Sequence, residues 1–210
     1  EACRAAWPGA AQLATAIVRR DGFDLITAAI ADRAAEGADA TTADELLQRI
    51  DDPRIPWRVV ELRFVVILAV RENEGDRRKM AAALLAMSRA ASAHHWWSKA
   101  QQLGESSLEI YRDIGNRLEE ANSLHELGVL ARIRSQYDTA ETHHTDALTI
   151  YHDIGARLGE ANSLHELGIV AQRRGQYDTA ETHHTDASAI YHDIGNRLGV
   201  GISPLGGRGL

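Results

Sequence analysis

Histidine and glutamate recur in this chain at spacings that metal chemistry uses. His125-Glu126 and His165-Glu166 open like the HExxH zinc motif, in which two histidines one helical turn apart hold the metal and the glutamate acts as base. Val129 and Ile169 stand where the second histidine belongs, so the motif fails. Glu141-x-x-His144 and Glu181-x-x-His184, with Glu126 and Glu166 on other segments, match the ligand inventory of a di-iron carboxylate bundle. Helical geometry argues against that use. At roughly 100° per residue, Glu126 points away from the side that carries Leu124 and Leu127. His144 and His184 fall at packing positions, where a buried, hydrogen-bonded histidine is the plainer reading. His143, His152, His183 and His192 read as surface residues. No phosphate-binding glycine loop, dinucleotide fingerprint or serine elbow occurs. The expectation is therefore no catalytic residue, no metal, no cofactor and no enzymatic activity.

The elements that carry these residues are repeated. Ile110–Thr149 reads IYRDIGNRLEEANSLHELGVLARIRSQYDTAETHHTDALT, and Ile150–Ala189 repeats it at 30 of 40 positions. A third copy starts at Ile190 and stops near Leu198. A fixed period of this kind marks units that bury their apolar faces only by stacking on one another. Leu124, Leu127, Gly128 and Ala131 fall on one helical face, and Ala140, His144, Ala147 and Tyr151 fall on another. Ser135-Gln136-Tyr137-Asp138 lies between them, replaced in the next copy by Gly175-Gln176-Tyr177-Asp178, with Gly175 suited to a left-handed turn. Asp138 with Glu141, and Asp178 with Glu181, have the spacing of a capping box. Gly115, Gly155 and Gly195 sit where a glycine would close the second helix. Each unit thus reads as a helical hairpin whose small residues allow close approach.

The period extends backwards. Gly75 and Arg77 precede Gly115 and Arg117 by forty residues, and Trp57 and Trp97 share the register of Tyr137 and Tyr177. The resulting division is 1–40, a helical segment without a register; 41–75, a degenerate hairpin whose turn Pro53 and Pro56 shorten; 76–115, a diverged repeat; 116–155 and 156–198, full repeats; and 199–210, a flexible tail or foreign sequence. Ala11–Ala35 looks helical. Trp97 is explained by packing at the turn, whereas Trp96 reads as an exposed anchor for a partner.

This run of Leu, Leu-Gly, small residue, Gly, Tyr, Ala and Ala resembles the tetratricopeptide repeat. Its first-helix signature matches Leu124, Leu127, Gly128 and Ala131, and its second-helix signature matches Ala140, His144 and Ala147. The forty-residue period is similar to the long variety found in kinesin light chains and in bacterial signalling and regulatory proteins. Ala131 and Ala171 replace an aromatic of the pattern, and the closing proline is missing. The resemblance implies an all-α fold, an α-solenoid of stacked antiparallel hairpins. It also implies a concave groove, lined by the first helix of each repeat, that takes a peptide or a partner domain. Asn122, His125, Val129 and Arg132 lie roughly opposite the packing face of the first helix, and Asn162, His165, Ile169 and Gln172 are their copies. These eight are the candidate peptide-binding residues; asparagine offers a donor and an acceptor to a peptide backbone, and arginine suits a carboxylate.

Composition narrows the partners. A formal charge of −7 disfavours direct nucleic-acid binding, and no apolar run is long enough to cross a membrane. Cys3 is the single cysteine, which fits a reducing, cytoplasmic compartment. The chain starts at Glu1 without a leader and reads as a fragment or processed form. After Leu198 no capping helix follows, so Ala187, Ile190, Tyr191 and Ile194 are expected to lack a neighbour. Either the natural chain continues there or that end forms a homodimer. Three functions compete: a protein–protein interaction scaffold, a C-terminal sensor module of a signalling ATPase or transcription regulator, and a metal-dependent enzyme. The first leads.

Overall fold

The computed structural model describes residues 39–48, 50 and 57–197. The expectations for 1–38, for Pro53 and Pro56, and for the tail 199–210 fall outside these residues. The described residues form eight α-helices and no strand. In chain order they are α1 (Ala40–Gln48), α2 (Trp57–Glu74), α3 (Arg77–Ala93), α4 (Trp97–Asp113), α5 (Arg117–Ile133), α6 (Tyr137–Asp153), α7 (Arg157–Arg173) and α8 (Tyr177–Arg197). The chain divides into two compact units, 1–115 and 116–210.

In the first unit each helix packs on the next in the chain. Arg71 of α2 is only 3% exposed and pairs with Asp44 of α1 and, at 2.7 Å, with Glu74. Small hydroxyls stitch α3 to α4: Ser88 Oγ donates to the Ala100 carbonyl at 2.6 Å, and Ser107 Oγ to the Ala81 carbonyl at 2.8 Å. Trp96 is half-buried rather than an exposed anchor, with the Lys99 ammonium 4.5 Å from its ring centroid. Lys99 is itself buried, so this cation–π contact is sheltered from water.

In the second unit α5 pairs with α6 and α7 with α8, and α7 also packs on α6 and touches α5. The expected seams are buried: Leu124, Leu127, Gly128 and Ala131 on α5 face Ala140, His144, Ala147 and Tyr151 on α6. The turns are built as the sequence suggests. Gly155 takes φ +68°, and the Gly155 and Ala156 amides bond back to the His152 and Tyr151 carbonyls at 3.1 and 2.8 Å, closing the helix. At the first-to-second-helix turn Ser135 adopts φ +59° where the next copy has Gly175 at +76°.

Three local expectations change. Asp138 and Glu141 form no capping box: α6 starts at Tyr137 with Gln136 as its N-cap and no side-chain cap bond. Both carboxylates instead grip Arg174 at the end of α7, Glu141 at 2.6 Å. Gly195 does not end its helix, since α8 continues through it to Arg197; glycine permits a left-handed turn without imposing one. Ala187 and Ile190 are 2% and 7% exposed, so the expected open apolar stripe shrinks to half-buried Tyr191 and Ile194. Ala187 lies between His184 and Tyr191 on the side of α8 that faces its own partner α7, which is why it is covered without a further repeat.

Candidate peptide-binding face

The eight residues singled out above lie on α5 and α7, on the flank not used for the hairpin seam. The geometry brings the two sets together, because α5 and α7 touch directly. On α5, Asn122, His125, Val129 and Arg132 are all half-buried. On α7, Asn162 and Ile169 are half-buried, while His165 and Gln172 are exposed.

Much of the polar set is already engaged. Tyr151 Oη of α6 donates to Asn122 Oδ1 at 2.6 Å, and Asn122 Nδ2 donates to Glu119 at 3.1 Å. The next copy repeats the first bond, Tyr191 Oη to Asn162 Oδ1 at 2.6 Å. It lacks the second, because Gly159 replaces Glu119. A Cβ on that glycine would lie 2.4 Å from the Tyr151 ring, so a side chain there would have to displace the ring. Arg132 Nε donates to Glu166 Oε2 of α7 at 2.6 Å, and His125 Nδ1 lies 3.5 Å from Ser163 Oγ. Asn122, His125 and Arg132 therefore tie α5 to its neighbours as well as lining its outer flank. Sequence reasoning missed Tyr151, Tyr191, Ser163 and Glu166 as their partners. The one signal available was the shared separation of 29 residues between each Asn and its Tyr.

Behind this face lies a histidine pair in each repeat. The His125 and His144 rings meet at 5.1 Å, as do those of His165 and His184. His144 is fully buried, and neither of its ring nitrogens has a hydrogen-bond partner among the described residues. This departs from the hydrogen-bonded core histidine expected from the sequence. Burial, reinforced by the nearby positive charges of His125, Arg132 and His143, lowers its pKa to about 3. Glu166 Oε2, 4.0 Å from His144 Nε2, is committed to Arg132. His184 is shifted the same way, chiefly by burial and then by His165 and His183. Burial, and secondarily Glu166, raises the pKa of the Tyr191 hydroxyl. A buried imidazole held neutral suits packing. The Glu-x-x-His pair is split, with Glu141 turned out to Arg174 and His144 turned in. Among the described residues no three His, Cys, Asp or Glu side chains are arranged to hold a metal ion.

The tetratricopeptide-repeat family model matches residues 117–193, the two hairpins just described. This segment carries tetratricopeptide repeats. Two solved structures extend the likeness. BtubC (BKLC) from P. vanneervenii is 17% identical, with a TM-score of 0.59, covering 96% of this chain and 92% of its own. The nearly identical TPR-like repeats of a protein described as a kinesin light chain, from Podosopora anserina, are 16% identical with a TM-score of 0.60, covering 89% and 95%. At such identities the likeness is one of fold. No curated protein sequence matches. Tetratricopeptide repeats are helical hairpins that stack, and here the seam residues of the repeat, Leu124, Leu127, Gly128, Ala131, Ala140 and Ala147, are all buried as that stacking requires. No described helix is long and apolar enough to cross a membrane.

Proposed function

We propose that this tetratricopeptide-repeat chain is a protein–protein interaction module that holds a peptide or partner domain on the face made by the first helices α5 and α7. The observation that carries this reading is the state of that face on α7. His165 and Gln172 are exposed, Ile169 is half-buried between them, and Asn162 lacks the carboxylate that occupies the amide of Asn122. A donor amide, an imidazole and an apolar contact thus stand on one rigid helix. The face is pre-organised, because Tyr191 fixes Asn162 and the ring of His184 backs His165. Affinity then comes with little loss of conformational freedom. The reading assigns the chain no catalysis.

Selection of peptides from a phage-displayed library against the full chain tests it. Selected peptides should lose at least about tenfold in affinity, some 1.4 kcal/mol, for a His165→Ala, Gln172→Ala variant of unchanged helicity. Equal binding to that variant by every selected peptide would reject the assignment.

A further inference from the structure

A groove of about 580 Å³ opens between α6 and α8, across α7, and none of the eight first-helix residues lines it. Its apolar lining comes from Leu148 of α6, Leu164 of α7, and Ala189 and Ile190 of α8, and its charge from Asp153, Glu160 and Asp186. Those carboxylates are not equivalent. Glu160 is buried and shared between Arg157 Nη1 at 2.6 Å and His152 Nδ1 at 3.3 Å. Asp153 and Asp186 are exposed and form no ion pair among the described residues.

Apart from Arg157, whose guanidinium is paired with Glu160, the helices flanking the groove are acidic. Helix α6 carries Asp138, Glu141, Asp146 and Asp153 with no lysine or arginine; α8 carries Asp178, Glu181, Asp186 and Asp193, with Arg197 as its only cation of that kind. The Arg174 guanidinium, which reaches across to α6, is spent on Asp138 and Glu141, away from the groove. At the groove itself His152 stands where the preceding repeat has the permanently charged Arg112.

We propose that this groove is a second binding site, separate from the first-helix face, for a basic amphipathic segment of a partner protein. Leucine-like side chains of that segment cover Leu148, Leu164 and Ile190. Its lysines or arginines lay their stems along the same apolar wall and bring their charges to Asp153 and Asp186. Charge complementarity selects the occupant: an acidic or neutral amphipathic segment would leave both carboxylates facing a dry, unmatched surface.

Fluorescence anisotropy on the full chain, with a labelled leucine–lysine amphipathic peptide and its leucine–glutamate twin, provides the test. The lysine peptide should bind and the glutamate twin should not. The Asp153→Asn, Asp186→Asn variant should bind the lysine peptide about tenfold more weakly, since two screened contacts are removed. Asp146→Asn with Asp178→Asn changes the charge equally on the same two helices, outside the groove, and should stay within about twofold of the parent. Absence of binding by the parent, or an equal loss in the second double variant, overturns the proposal; the latter would mean diffuse attraction only. A loss caused instead by His165→Ala, Gln172→Ala would overturn it as well, placing the peptide on the first-helix face. Failure at the groove leaves the first-helix proposal untouched, because the two sites share no residue.

Discussion

The His144 imidazole fills the space that a side chain at position 128 would need. A Cβ built on Gly128 would lie 2.7 Å from both Cε1 and Nε2 of that ring. The same relation recurs one repeat later, with Gly168 and the His184 ring at 2.6 Å. Glycine therefore serves here as a socket for an aromatic side chain on the opposing helix, and the pair sets how closely each hairpin closes.

Gly128→Ala should cost about 1–3 kcal/mol by overpacking, because the fully buried His144 ring has nowhere to retreat. Gly168→Ala should cost less, since His184 is only half-buried and can swing outward. Urea denaturation of the two variants measures the difference; equal losses would mean the ring at 144 is freer than its burial indicates.

Acid should weaken the second unit through His144. Its folded pKa of about 3 lies below its ordinary value of 6.5. Above 6.5 both folded and unfolded forms are neutral and the group has no effect on pH dependence. As pH falls from 6.5 towards 3 the unfolded chain binds a proton that the folded chain refuses, so stability is lost at up to roughly 1.4 kcal/mol per pH unit. Denaturation midpoints measured across that window should fall more shallowly in His144→Leu than in the parent.

Ser135 holds φ +59°, a region that costs a non-glycine residue roughly 1–2 kcal/mol. Ser135→Gly should therefore raise stability by about 1 kcal/mol, less some loss to greater freedom of the unfolded chain. Gly175→Ser, the reverse change at φ +76°, should lower it. Thermal melts of both variants check the pair.

Two arginines bridge the hairpins with different consequences. Arg132 and Glu166 are both largely sheltered, so Arg132→Ala leaves a carboxylate short of its partner and should cost about 1.5–3 kcal/mol. Arg174 meets Asp138 and Glu141 where both carboxylates are well exposed, and Arg174→Ala should cost under about 1 kcal/mol. Raising the salt concentration should shrink the second effect more than the first.

Periodicity made the hairpins, their seams and most of their turns legible, because burial of a helical face follows directly from which residues recur every three or four positions. Leu124, Leu127, Ala140 and Ala147 are buried for that reason alone. The candidate face was legible only as a direction around each helix. Whether its polar groups stay free depends on residues about thirty positions away, such as Tyr151 for Asn122 and Glu166 for Arg132, and a one-helix pattern carries no information about those. The same holds at Asp138 and Glu141, whose spacing suits a local cap but whose charge finds Arg174 across the interface.

The chain's own order of residues determined an all-helical array of forty-residue hairpins, since each apolar stripe has a single period and must be covered. Tertiary packing alone decided which polar side chains were consumed in holding hairpins together, that His144 lies unpartnered against Gly128, and that an acidic groove opens between α6 and α8. Those outcomes depend on distances between helices, and such distances are set by the fit of many side chains at once.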